Sequence, residues 1–485
     1  MKRLVLPFTL SLAAAGCLST DPTRVVEELH EVRQKTSTDW LVQAGREAEP
    51  QQAETERPPK FDAAISLEEA VAVALQHNLA LRAMQRRSDE VRGIVEEARS
   101  GALPALVTGA SVVSDLSERG DAPETYAITA RLTQPLWRSG IVAAGLRYAR
   151  LQAADTDAAI RQKTQATIAA TARHYLDTLL QHHLTTVYEE SVGVAERMLH
   201  TSRAKRDAGT ASEYEVLRAE VEVSTANADL LRARNTLRTS MMELRRTLGI
   251  SQESEIELTD SLDFEAETCD LRQAVGLALE HRPDLFRAEA TLRMAEAQTA
   301  AVRGQYGPVA DAFLGVNYAN PNPNRRPGSQ VDKSWGDDWS IGATLSWTLF
   351  DGFERRGKLR QVLSKRDQAE VALRDAEEAA RVEVVKALLD LNHAAELYTS
   401  QRKNIDQARE ALRMIESGFR MGRNTQVEVL DAQSALTEAM GRYHNSVHQH
   451  SLARLDLLHA IGLLGPRALE PITPLFEHHE ELEQN

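Results

Sequence analysis

Glu428 and Asp431 stand three positions apart in the run Phe419-Arg-Met-Gly422-Arg-Asn-Thr425-Gln-Val-Glu428-Val-Leu430-Asp431-Ala-Gln433. On a helix begun by Thr425, that spacing puts both carboxylates on one face of the first turn. Two acids so placed can attract cations and crowd one another's charge, or they can simply complement the helix dipole. Spacing alone leaves both readings open. His444 and His448 are four apart, with His450 beyond, a spacing that could hold a metal; three scattered histidines on a solvated helix face are the preferred reading, and no metal is expected. Nowhere does the sequence carry a Gly-rich phosphate loop, a zinc motif, or a Ser or Cys nucleophile in a recognisable setting. The chain therefore reads as no enzyme, with no cofactor.

Cysteine chemistry is confined to two residues. The N-terminus has a basic start (Lys2, Arg3), an apolar stretch from Leu4 to Ala15 and small residues before Cys17, the pattern of an export signal. Ala14-Ala15-Gly16-Cys17 resembles a bacterial lipobox. On that reading residues 1–16 are a lipoprotein signal peptide, Cys17 is acylated, and Leu18 is compatible with outer membrane sorting. A plain signal peptide with an incidental cysteine is the alternative. Cys269 would then be alone in the mature chain, so no intramolecular disulfide is available.

The elements that position the acid pair occur twice. Lys205-Arg-Asp-Ala-Gly209-Thr-Ala-Ser212-Glu-Tyr-Glu215-Val-Leu217 precedes the second copy by 213 positions, and Gly249 precedes Gly462 by the same offset. Nearer the N-terminus Ser66 to His77 matches Asp270 to His281 at an offset of 204. The nine extra residues (213 − 204) fit the loop-like Asn320 to Gln330. In each copy a Gly follows a long segment, a hydroxyl residue (Ser212, Thr425) follows three positions on, and a Val-Leu pair opens a second long segment. A helix C-cap followed by an N-cap predicts a helix hairpin tip. At the equivalent of the acid pair the first tip has Glu215 and Arg218.

Around the tips the period changes. Ser66 caps an apolar stripe at helical spacing, predicting one helix from there to about Ser100. Thr125 to Gln134, Val309 to Tyr318 and Trp339 to Leu349 alternate apolar and polar residues, and Ala105 to Val113 does so more weakly. Each run is about the length that a tilted strand needs to cross a bilayer, with aromatics near its ends. Four strands cannot close a barrel, and an open edge in lipid leaves backbone groups unpaired. Three copies would supply twelve, so the chain is expected to form a homotrimer. A soluble sheet packed on helices would alternate too. Leu146 to Ser191 and Lys358 to Ser417 contain neither Gly nor Pro, so each predicts a very long helix, returning after its tip from Ser212 to Leu248 or from Thr425 to about Leu458.

Composition sets further limits. Among 485 residues aromatics are only 5%, and the net charge of −14 disfavours a phosphate-binding surface, so nucleic acid is not expected as a partner. Residues 17–60 read as a polar tether with a short helix near Thr23 to Arg33, 61–268 and 269–465 as two structural repeats, and 466–485 as an acidic tail.

Two repeats of helix, strand, strand, long helix and tip helix, with Gly422 followed by Glu428-Val-Leu-Asp-Ala-Gln433, resemble the outer membrane efflux protein family (TolC-like), in its lipid-anchored branch. The resemblance covers about Phe61 to Leu464. It implies an α+β membrane channel-tunnel: a shared twelve-stranded trimeric β-barrel in the outer membrane, continued by a long α-helical barrel across the periplasm. It implies the exit duct of a tripartite efflux system, lipid-anchored and working with a periplasmic adaptor and an inner membrane pump. In the family, acids at Glu428 and Asp431 line the pore constriction, and the tips, here Gly209, Val216, Leu217, Gly422, Val429 and Leu430, are expected to meet the adaptor. The basic latch residue often found two positions after the tip Gly is Asn424 here, with Arg423 one earlier, so no latch is carried over. Alternatives are a type I protein secretion duct, or a lipid-anchored periplasmic coiled-coil scaffold with a soluble β domain.

Overall fold

The computed structural model describes residues 58–113, 124–267, 269–324 and 334–465. The signal peptide, Cys17, the helix near Thr23 to Arg33, most of the loop from Ser114 to Thr125, the second half of Asn320 to Gln330 and the tail lie outside these residues.

Each repeat opens with a bent helix pair. Strand β1 (Ala63–Ile65) leads into α1 (Leu67–His77) and α2 (Leu79–Ser100). The single helix expected from Ser66 to Ser100 is therefore broken at Asn78, whose backbone is extended and whose side chain caps the second helix. Strands β2 (Ala105–Val113) and β3 (Thr125–Trp137) follow, then the long α3 (Ile141–Asp207), the returning α4 (Glu213–Leu248) and a three-residue strand β4 (Ile256–Leu258). The second repeat runs α5 (Leu271–His281), α6 (Pro283–Gly304), β5 (Val309–Asn320), β6 (Gly336–Ser346), α7 (Glu354–Arg420) and α8 (Gln426–Ile461). α3 and α7 have 67 residues each, and α4 and α8 have 36 each. At about 1.5 Å per residue the long helices reach roughly 100 Å, and both run past the Gly-free limits set by sequence, across Gly193 and Gly418.

The breaks have a packing purpose. The Asn78 amide donates to the Thr247 carbonyl at 2.9 Å, and the Arg282 guanidinium donates to the Ala460 carbonyl at 3.0 Å. Positions 247 and 460 are equivalents at the 213 offset, so both breaks grip the last turn of a returning helix. There Gly249 and Gly462 hold positive φ, and a Cβ on Gly249 would lie 2.7 Å from the His77 carbonyl carbon. Around this waist lies the main core, built from Val71, Tyr175, Leu248, Leu277, Val384, Leu391 and Leu457. β1 and β4 pair in parallel beside it, and the buried Tyr175 hydroxyl donates to the Ile65 carbonyl at 3.0 Å. Arg454 on α8 reaches Glu265 at 2.9 Å and Glu267 at 2.5 Å, fastening the connector between β4 and α5 to the core.

The remaining strands form one antiparallel sheet of order β2-β3-β5-β6. Both outer strands, β2 and β6, have one edge without a partner strand among the described residues. Side by side, the helices follow the same order. Above the waist α2 packs on α3, α3 on α6 and α6 on α7; below it α4 packs on α3, α3 on α8 and α8 on α7.

Candidate functional site: the hairpin tips and the sheet face

Each tip is built by the same backbone device. The long helix ends in a left-handed Gly, Gly209 (φ 72) or Gly422 (φ 73). The amides of Thr210 and Arg423 donate to carbonyls five residues back, those of Lys205 and Gly418, at 2.9 and 2.8 Å. The Gly amides donate to Arg206 and Phe419 three back. This pairing satisfies the last carbonyls of the helix and needs φ above zero, which glycine adopts freely. Ser212 and Thr425 then cap the returning helices through the amides of Glu215 and Glu428, each at 3.3 Å.

Only the second tip completes a capping box. The Glu428 carboxylate accepts from the Thr425 amide at 2.7 Å and from the Asn424 side chain at 3.1 Å. These donors stabilise the ionised form and hold its carboxyl below the usual range, the Thr425 amide contributing most. Within one chain these hydrogen bonds outweigh the effect of burial at Glu428. Asp431 is exposed one turn on. At Gly418 a Cβ would collide with the Asn424 amide, so this glycine makes room for the side chain that braces Glu428.

The expected contact residues divide. Gly209, Gly422 and Leu217 are exposed, Leu217 by 53%, whereas Val216 is 1% exposed and Val429 and Leu430 are buried within the hairpins. Adjacent helical residues point about 100° apart, so one of each Val-Leu pair must turn inward, and at the second tip both do. The tips touch one another: the Lys205 ammonium lies 3.9 Å from the centroid of the Phe419 ring, and Gln426 donates to the Glu215 carbonyl at 3.3 Å.

The histidines of α8 do not lie on a solvated face. His448 and His450 are buried where α8 meets α3 and the connector, His448 binding Asp177 at 2.8 Å and His450 packing on the Phe264 ring. His444 stacks on His183 of α3, with ring centroids 5.1 Å apart. Among the described residues no group of three or more metal-ligating side chains could hold a metal ion.

The sheet has two unlike faces. One presents Tyr126, Ile128 and Leu132 on β3, Leu314 and Tyr318 on β5, and Trp339, Ile341 and Leu345 on β6, all exposed, Ile341 by 85%. The other carries Thr129, Arg131 and Thr133, then Asp311, Asn317, Ser340 and Thr344. Aromatics gather at both ends of the apolar face, with Tyr318 stacked on Trp335 at one end and the Trp347 indole donating to the Tyr306 carbonyl at the other. Such bands mark the two interfaces of a bilayer-spanning strand. No described helix is long and apolar enough to cross a membrane.

The family model for outer membrane efflux proteins matches residues 70–250 and 274–463, one span per repeat. Protein CyaE of Bordetella pertussis is 29% identical over 86% of this chain and 88% of its own length. Outer membrane protein TolC of Vibrio cholerae is 26% identical over 83% of this chain and 91% of its own. The crystal structure of the open state of the Neisseria gonorrhoeae MtrE outer membrane channel superposes with a TM-score of 0.70, at 20% identity, over 86% of this chain and 98% of that one. A duplicated channel-tunnel fold with paired strands above paired long helices, matched by the family model in both halves, shows that this chain belongs to the outer membrane efflux protein family.

Proposed function

We propose that the chain is the outer membrane channel component of a tripartite efflux system, a passive trans-periplasmic exit duct for small molecules. The carrying observation is the sheet: four antiparallel strands with an apolar, aromatic-ended face and two open edges, mounted on helices of roughly 100 Å. Open edges cost several kcal/mol per unpaired group in lipid. Pairing β6 of one copy with β2 of the next removes that cost, and three copies give twelve strands. The helices support the same seam. The side of the chain bearing α4 exposes Leu217, Val221 and Leu231, and α7 at the opposite side exposes Val382, Leu389 and Met414. Leu217 and Val221 are four residues apart and Val382 and Leu389 seven, spacings that suit lateral coiled-coil contact.

Further assignments complete this reading. Cys17 is the lipid attachment point, adding an anchor to the barrel. Six carboxylates, Glu428 and Asp431 from each of three copies, line the tip constriction and favour cationic permeants. The exposed Gly209, Gly422 and Leu217 meet a periplasmic adaptor, with buried Val216, Val429 and Leu430 setting the shape of the hairpins. Energy comes from an inner membrane pump. In planar bilayers the purified protein is expected to give discrete conductance steps; a preparation that is folded and inserted yet never conducts overturns the assignment.

A further inference from the structure

Arg131 and Phe313 form a pair that nothing in the efflux role requires. They sit diagonally across β3 and β5 on the polar face of the sheet, since Arg131 is opposite Gly315 and Phe313 opposite Thr133. The guanidinium carbon lies 4.1 Å from the centroid of the ring. Glycines clear the ground around them. Phe313 lies across from Gly342 on β6, where a Cβ would come within 2.9 Å of the ring tip, and at Gly315 a Cβ would come within 2.9 Å of the Ser340 hydroxyl. The ring is thus laid against the sheet with a cation over it.

The charges on this face are few. Among the described strand residues it carries Arg131, Asp311 and Asp338. Asp311 is held by Arg138 at 2.7 Å, towards the helical end. Asp338 lies opposite Asn317, one same-face position further out along β5 than Gly315, and two strands away from Arg131. Arg131 is exposed, with its guanidinium over the aromatic ring. An arginine stacked on an aromatic keeps its outward N–H groups free for an anion, and the ring edge supplies apolar surface beside them.

We propose that Arg131 and Phe313 form, in the bore of the barrel, a recognition step for organic anions with an aromatic body. This rests on the channel reading above. With the apolar face turned to lipid, the polar face lines the bore, and three copies place three such pairs around the axis. The carboxylate or sulfonate of a permeant meets the guanidinium fork, and its ring packs against the edge of Phe313. Their position beyond the acidic tips gives the duct opposite charge preferences at its two ends.

The test uses the intact protein in planar bilayers under a potassium chloride gradient, with 1-naphthalenesulfonate as the aromatic anion probe. Arg131→Gln should lower the chloride-to-potassium permeability ratio roughly fivefold, the order expected for three unit charges about 10 Å from an axial ion in water screened by about 0.1 M salt. It should also abolish block by the probe. Arg131→Lys should keep the ratio and weaken the block, and Phe313→Leu should keep the ratio and lose most of the block. Channels of normal conductance in which Arg131→Gln changes neither selectivity nor block would overturn the proposal while leaving the duct intact. Absence of any conductance in the unsubstituted protein would instead remove the channel reading on which it stands.

Discussion

The ammonium of Lys205, at the end of one long helix, lies 3.9 Å from the ring centroid of Phe419 at the end of the other. Together with the Gln426 to Glu215 hydrogen bond it ties the two hairpin tips of a chain to each other. A cation over an aromatic ring contributes about 0.5–1 kcal/mol at an exposed site, and one neutral hydrogen bond about 1 kcal/mol. Lys205→Ala with Gln426→Ala should therefore free the second tip and raise the population of the parted, more conductive state by about ten- to thirtyfold, as each 1.4 kcal/mol is a factor of ten. Single-channel recordings would show longer or larger openings; an unchanged record means that the link does not restrain the tips.

Glu428 and Asp431 should separate on substitution. Glu428 serves its own helix as a capping-box acid, whereas Asp431 is exposed and has no such part in the cap. Asp431→Asn is expected to reduce cation preference and leave heat resistance of the assembly unchanged. Glu428→Gln should reduce both. Because the folded-state carboxyl of Glu428 titrates below its ordinary value, its stabilising contribution is present above about pH 4.5 and is lost as acid protonates the folded state. Thermal midpoints measured from pH 7 to pH 3 for the two variants check this: a flattened acid limb belongs to Glu428→Gln alone.

The stacked pair of His183 and His444 carries a second pH dependence. Burial pushes both below the ordinary histidine value, and the His183 ring further disfavours charge on His444. His182 adds to the depression at His183, while Asp263 on the connector opposes it. A base whose folded-state pKa is depressed binds protons more readily when unfolded, so stability rises with pH through this range. The contribution is full above about pH 6.5 and falls on acidification below it. His444→Phe keeps an aromatic surface against His183 and should flatten the slope of the thermal midpoint between pH 7 and pH 5.5. An unaltered slope would assign the dependence elsewhere.

Much of this was legible in residue order, and the failures have physical reasons. The 213-residue offset between Gly209 and Gly422 located both tips, because a Gly in the left-handed region followed by a hydroxyl cap is a local, short-range signal. The break at Asn78 was missed, since Asn is tolerated within helices and its capping bond shows only in three dimensions. Its counterpart was readable: Arg282 precedes Pro283, and proline turns its predecessor away from helical geometry. Strands β1 and β4 are three residues long, too short for any period. The choice between Val216 and Leu217 depends on helix rotation that neither residue determines alone. Phe313 was the overlooked sign at the bore, an aromatic at a position where alternation calls for a polar residue, and only strand register brings Arg131 to it.

The most direct measurement of the central claim, that each chain supplies one third of a closed wall, is disulfide trapping between sheet edges. β2 and β6 of one chain stand three strand spacings apart, about 14 Å, beyond the roughly 7 Å reach of a disulfide between backbones. Ser340→Cys, combined in turn with Val107→Cys, Gly109→Cys or Ser111→Cys on a Cys269→Ser background, is oxidised in outer membrane fractions and separated by mass. The account predicts that at least one combination gives covalent dimers and trimers and nothing larger. Only uncrosslinked monomers in all three combinations, or a ladder continuing beyond three chains, would contradict it.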